Sequence, residues 1–224
     1  MSRAAYKTET MFVACPYSKS FGYEKFRSYM TSHYPGTVIF AETHLQTRHL
    51  LGILKGHIKK TDFCLFDVST WNPNVSLELG LAEGMKVKYY ITLNSSLSTN
   101  VPSDIQGIQR IEYSVLEKGA LSLGQQFQRY IVKEKTFVGR KLWQEFKEED
   151  KADRLFTLAI RVICHFRDKK TLKEEKIKAL ASGLRLRSPD RDRVIEVLRR
   201  EKFIKHSGNK YALNRNVFKP YKVS

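Results

Sequence analysis

The sequence predicts an α/β protein whose parallel five-stranded sheet is flanked by helices, followed by a smaller basic region of short helices and a hairpin. Three observations predict it. Between residues 10 and 134, short apolar runs rich in β-branched and aromatic residues alternate with helical patterns of ten or more residues, the rhythm of a parallel sheet with helices on both faces. One of those runs, Phe63 to Val68, is apolar almost throughout and carries Asp67 at its end; such a run suits a strand buried on both faces. Finally, charge divides the chain: residues 1–134 hold 15 Lys and Arg against 11 Asp and Glu, and residues 135–224 hold 25 against 12.

Taken in order, Thr10 to Cys15 reads as the first strand, and Pro16 and Gly22 mark the loop after it. Tyr23 to His33 has helical spacing through Phe26, Tyr29 and Met30 and stops before Pro35-Gly36, a proline-glycine breaker. Thr37 to Ala41 is a second strand. Leu50, Leu51, Ile53, Leu54 and Ile58 give a second helix one apolar face. After the central strand, Asn72-Pro73-Asn74 is turn chemistry, and Val75, Leu77, Leu79, Leu81 and Ala82 begin a third helix that carries Glu78. Gly80 beside it lets another backbone approach closely. Lys88 to Leu93 is a fourth strand, Gln109 to Tyr113 a weaker fifth, and Ala120 to Val132 a closing helix. The polar loop 94–108 lies between the last two strands.

The first domain is therefore expected over 1–134. Residues 135–151, with the charged stretch Phe137 to Asp150, read as a linker helix, and 152–224 as the second domain. There Asp153 to Phe166 is an amphipathic helix. Thr171-x-x-Glu174 has the form of a capping box. Ser188-Pro189-Asp190 opens a third helix, with serine at the cap and proline at the first position. Lys202 follows it, and Phe203–His206 and Lys210–Leu213 flank Ser207-Gly208-Asn209 as a hairpin.

Composition excludes several classes. Apolar residues at 42% suffice for a core, which argues against global disorder. No run of about 18 apolar residues exists and the amino terminus lacks an apolar signal core, so a cytoplasmic protein without a membrane partner is expected. The three cysteines, Cys15, Cys64 and Cys164, are widely spaced, so neither a metal site nor a disulfide framework is expected. The net charge of +17, concentrated after residue 134, marks that region for polyanion binding, nucleic acid first.

Asp67 and Glu78 stand eleven positions apart, on a strand end and on the next helix. The carboxyl edge of an open α/β sheet is where ligands bind. The plain alternative makes Glu78 a solvated helix residue and Asp67 a loop cap. Against it, Glu78 lies between Leu77 and Leu79, and a carboxylate in an apolar setting needs a partner or a function.

The segment His57 to Gly84 (HIKKTDFCLFDVSTWNPNVSLELGLAEG) resembles the core motif of the nucleoside 2-deoxyribosyltransferase-like superfamily. That superfamily includes N-glycosidases and is related in fold to TIR-type NAD hydrolases. The resemblance, over roughly residues 10 to 134, implies that Glu78 of the "ELG" tripeptide attacks the anomeric carbon and that Asp67 serves the base or the sugar. The opening strand and loop are similar to the family's nucleotide-binding loop. This places Ala14, Pro16, Tyr17 and Ser18 at the substrate, with Lys19 and Ser20 near its phosphate and Asn74 on sugar or phosphate. Two departures weigh against transfer between bases: Leu50 to Lys60 contains no acid, and Asn72 and Asn74 stand where the family tends to carry one. Hydrolysis of a nucleotide, of NAD or of a nucleobase on DNA is the reaction implied, with no cofactor. Family members often complete their sites across a dimer, so a homodimer is expected.

The second domain looks like a winged helix. That resemblance places Arg191, Arg193, Arg199 and Lys202 on the nucleic acid from the third helix, and Lys205, His206 and Lys210 on the wing. Asp190, Asp192 and Glu196 dilute the basic stripe, which favours backbone contact over base reading. A solvated basic face on a protein-binding winged helix is the alternative. The domain order is similar to effector proteins encoded with some bacterial retrons, implying a toxin or antiviral defence role within an effector complex. A non-catalytic nucleotide sensor coupled to a DNA-binding winged helix is the competing function.

Overall fold

The computed structural model describes residues 9–17, 23–41, 50–70, 72–97, 107–108, 110–113, 126–168, 171–208 and 210–214. They fall into two compact units, one of Glu9–Met30 and Gly36–Tyr130, the other of Thr31–Pro35 and the chain from Ile131 onward.

The first unit is an α/β structure. Strands β1 (Thr10–Ala14), β2 (Thr37–Phe40), β3 (Phe63–Asp67), β4 (Tyr89–Asn94) and β5 (Arg110–Tyr113) form one sheet in the order β2-β1-β3-β4-β5. Every pairing is parallel. Helix α1 (Tyr23–His33) follows β1, α2 (Leu50–Lys60) follows β2 and α3 (Pro73–Gly84) follows β3. All five residues of β1 and of β3 are buried, as strands covered on both faces require. The order reverses direction between β1 and β3, and such a switch point is where an open α/β sheet leaves a crevice for ligands.

Register decides which side chains share a face. Val13 pairs with Leu65, Ala14 with Phe66, and Asp67 with Thr92. Successive side chains alternate across the sheet, so Val13, Leu65, Asp67 and Thr92 stand on one face and Phe12, Ala14, Cys64 and Phe66 on the other. The second face packs on α2 and α3: Leu54 and Ile58 of α2 and Val75, Leu79 and Ala82 of α3 join Phe12, Ala14, Cys64, Phe66 and Ile91 in one buried cluster.

Helix α3 starts where the turn chemistry predicts. Asn72 is its N-cap, accepting a hydrogen bond from the Asn74 backbone N–H at 2.8 Å, and Pro73 occupies the first turn. It ends in a Schellman turn, in which Lys86 N–H donates to Glu83 O and Val87 N–H to Ala82 O, with Lys86 at φ 55°. That left-handed position normally favours glycine. The helix also corrects the apolar reading of Val75-Leu77-Leu79-Leu81. Leu77 is 48% exposed, because an alternating pattern wrapped onto 3.6 residues per turn sends every other member outward. The buried stripe is Val75, Glu78, Leu79 and Ala82. Gly80 does not admit a close backbone: it is exposed, and among the described residues a Cβ there would meet nothing within 4 Å.

The expected closing helix is described only from Gln126, and residues 128–132 form a π-helical turn; its expected members Leu121 and Leu123 lie outside the described residues.

The second unit contains α4 (Phe137–Phe146), α5 (Ala152–Asp168), β6 (Thr171–Lys173), α6 (Glu174–Gly183), α7 (Ser188–Arg200), β7 (Ile204–Ser207) and β8 (Lys210–Leu213). The segment read as a connecting helix is helical and buries Val138, Leu142 and Phe146 on the side where it meets α5. Gly139 lies so close to the preceding turn that a Cβ there would overlap the Val132 carbonyl. Helix α5 is the centre of the unit, with Phe156, Leu158, Ile160 and Val162 fully buried, and it packs against α4, α6, α7 and strands β6 and β8. The three strands form an antiparallel sheet in the order β6-β8-β7.

Two local expectations here are corrected. Thr171 does not cap a helix: it pairs with Ala212 of β8, and the N-cap is Lys173, which has no side-chain cap bond. The ladder offers Thr171–Lys173 backbone hydrogen bonds that a local cap cannot match. Helix α7 is capped one residue earlier than expected, at Arg187, whose backbone N–H donates to Asp190 Oδ2 at 2.9 Å. The Lys151 ammonium bonds both oxygens of that carboxylate and, with the Arg187 N–H, holds Asp190 below the usual carboxylate range.

Candidate active site at the sheet edge and candidate nucleic-acid surface

Asp67 and Glu78 are both buried, at 0% and 6% exposure, in opposite surroundings. Asp67 ends β3. Its Oδ1 accepts hydrogen bonds from the Ser69 backbone N–H at 3.0 Å and from the Ser69 hydroxyl, and its Oδ2 accepts from Thr92 Oγ1 at 2.7 Å and Tyr113 Oη at 2.8 Å. Ser69 Oγ in turn accepts the Asn94 backbone N–H at 2.6 Å. The carboxylate thus ties the carboxyl ends of β3, β4 and β5 together. Burial raises its pKa, opposed by the hydrogen bonds from Ser69, Thr92 and Tyr113. Burial and then the Asp67 charge push the Tyr113 phenol up, so Tyr113 stays protonated as a donor.

Glu78 sits in the second turn of α3, inside the stripe of Val75, Leu79 and Ala82 that faces the apolar cluster. Among the described residues no hydrogen bond or ion pair reaches its carboxylate. Burial pushes its pKa from 4.5 up to about 7. Its nearest titratable influence is on Cys64, whose thiol is driven up to about 11 chiefly by burial, with a smaller contribution from Glu78. A thiol with that pKa is protonated near neutrality and is not a nucleophile. Burial is the cause of the Glu78 shift, and the chief influences on Asp67 are burial and its own hydrogen-bond donors. Asp67 stands on the face opposite Cys64 and Phe66, whereas α3 packs on theirs. Asp67 is thus a hydrogen-bonded acid and Glu78 an acid with no partner among the described residues, and the alternation of the strand sets them toward opposite faces of the sheet.

Around them, Ala14 closes β1 and is part of the apolar cluster. Pro16 is buried, and Tyr17 is half-buried, packs against that cluster and meets Tyr23 edge-on at 5.1 Å between ring centroids. Ser18, with Lys19 and Ser20, lies outside the described residues. Asn74 is exposed on the first turn of α3. Three partners of Asp67 were missed from sequence. Ser69 was the legible one, since a hydroxyl two residues after an aspartate is a common local turn bond. Thr92 and Tyr113 reach Asp67 only through strand register.

In the second unit the expected nucleic-acid residues divide. Arg191 donates twice to Asp192 (2.9 and 2.7 Å), and Arg193 donates to Glu149 (2.9 Å) and Glu196 (3.5 Å). Arg199, Lys202, Lys205 and Lys210 are exposed, and no ion pair among the described residues engages them. Lys202 occupies the left-handed position of the Schellman turn closing α7, at φ 61°.

Compared with models of known protein families and with curated proteins, the sequence matches none. Among the described residues no helix is long and apolar enough to cross a membrane.

Proposed function

We propose that the protein is a cytoplasmic N-glycosidase that hydrolyses the base–sugar bond of a nucleotide, with Glu78 as its reacting carboxylate. One observation carries the reading: Glu78 is buried in an apolar stripe with no partner among the described residues. An isolated buried charge is costly, and a fold tolerates it where the charge has work to do.

In this mechanism the ionised carboxylate faces the anomeric carbon as positive charge develops there. A C1′–O bond to Glu78 forms, the C1′–N bond breaks, and the base leaves with a proton from solvent. Water then cleaves the glycosyl ester, returning the carboxylate, as in two-step glycoside hydrolysis. A pKa of about 7 leaves Glu78 roughly half ionised at neutrality, and a cationic centre beside it would favour the ionised form. Asp67, with its acceptors occupied, acts here as a positioning residue for the strand ends and not as a second acid.

We read the second unit as a winged helix that binds nucleic acid and tethers the enzyme as an effector. Support comes from the element order helix, strand, helix, helix, hairpin and from the strand order β6-β8-β7. A nucleotide sensor is the second reading, and it draws on the saturation of Asp67, which leaves a single acid available.

The test is to incubate the parent and Glu78→Gln with NAD, deoxynucleotides and DNA and to measure released base. Base release by the parent and a loss of about a thousandfold or more in the variant are expected. Retained cleavage in the variant overturns the role of Glu78. Nucleotide binding without any release by the parent moves the sensor reading ahead.

A further inference from the structure

We propose that the solvent face of the β6-β8-β7 sheet, and not helix α7, docks on the phosphate backbone of duplex DNA; this rests on reading the second unit as a nucleic-acid binder. In the antiparallel ladders Lys173 pairs with Lys210, which pairs with Ser207, while Thr171 pairs with Ala212, which pairs with Lys205. Directly opposed residues share a face, as do residues two apart, so Lys173, Lys205 and Lys210 stand on one side of the sheet. The other side carries Leu172, Ile204 and Tyr211, which are buried. The three lysines are exposed, and no ion pair among the described residues reaches any of them.

Strands about 4.8 Å apart and about 6.8 Å per two residues set Lys210, on the central strand, within roughly one Debye length at physiological salt of both Lys173 and Lys205. Among the described residues at these register positions there is no carboxylate to offset them and no aromatic ring on which an unpaired base could stack. The first property suits phosphate contact. The second separates a duplex backbone from single strands, whose binding relies on stacking platforms.

Helix α7 differs at three of its four arginines, Arg199 being exposed without an ion pair among the described residues. Arg191 and Arg193 are engaged by Asp192, Glu149 and Glu196, and Arg200 by Glu145, Glu196 and Glu201. At those three arginines a phosphate would have to displace carboxylates before it gained a contact, whereas on the sheet face it displaces only water and counterions.

The experiment is fluorescence anisotropy of the full chain on a random-sequence duplex between about 50 and 200 mM salt. The slope of log K against log salt should fall by about 3 in the triple variant Lys173→Gln/Lys205→Gln/Lys210→Gln, about 1 for each lysine. It should be unchanged in Arg191→Gln/Arg193→Gln and in the control Lys55→Gln/Lys59→Gln/Lys88→Gln on the first unit. An unchanged slope in the sheet variant with parental duplex binding intact overturns the docking face alone. So does an equal loss in either comparison variant, or tighter binding of the parent to single strands than to duplex. No duplex binding by the parent at the lowest salt overturns the nucleic-acid reading and the docking face together.

Discussion

Among the described residues, the two faces of the parallel sheet bury one carboxylate each and treat it in contrary ways. On one, Asp67 accepts four hydrogen bonds from three residues, the farthest 46 positions away in the chain. On the other, Glu78 meets an apolar cluster and no donor among the described residues. Burial raises both pKa values, yet for Asp67 the surrounding donors oppose the shift, and for Glu78 burial is the sole cause. The difference teaches how a buried acid is to be read. A satisfied carboxylate is architecture, because removing it strands its donors. An unsatisfied one costs the fold stability and keeps its reactivity.

The largest effect on stability is expected at Asp67. Replacing it with alanine leaves the Ser69 N–H, two hydroxyls and the Tyr113 phenol without their acceptor. At roughly 1–3 kcal/mol for each buried donor, with some relaxation, the loss should be about 4 kcal/mol. Denaturant unfolding measures it, and a change under about 1 kcal/mol would show that the network is not structural.

Glu78→Gln should act in the other direction, and only above the acid range. The folded-state pKa of about 7 exceeds the unfolded value of 4.5, so the parent binds an extra proton when folded between those limits. Its stability is fully present below about pH 4.5 and falls as pH rises to about 7. The glutamine variant lacks that slope. At pH 8 it should therefore be more stable than the parent by about 3 kcal/mol at most, and at pH 4 nearly equal to it. Since Asp67 is shifted in the same direction, the difference between the two proteins is the quantity to follow. A constant difference across pH would mean that Glu78 is not buried as a charge.

The smallest effect sharpens the contrast within the network. Tyr113→Phe keeps the ring and removes one of the four donors to Asp67. It should cost about 1 kcal/mol, and little or nothing when introduced into Asp67→Ala, because the partners of one network are not additive.

Much of this was legible in the residues. The burial of Phe63–Asp67, the cap at Asn72-Pro73 and the placement of Glu78 on α3 follow from local pattern and turn chemistry. The position of Leu77 did not, since its alternation with Val75 and Leu79 suits a strand as well as a helix. Thr171 was misread for a related reason, because its capping signal is local and the strand that claims it lies some forty residues away, at Ala212. The charges of α7 were legible as a list but not as pairs: Arg193 meets Glu149 across 44 positions.

The sequence by itself determined the alternation of strands and helices in the first unit and the candidate carboxylates, because hydrophobic period and turn residues act over a few positions. Only the tertiary structure decided that Asp67 and Glu78 belong to opposite faces and that three lysines unpaired among the described residues share one side of the small sheet while Arg191, Arg193 and Arg200 of α7 are held by carboxylates. Those outcomes depend on strand register and on packing between distant segments, and a one-residue shift of register would exchange every face.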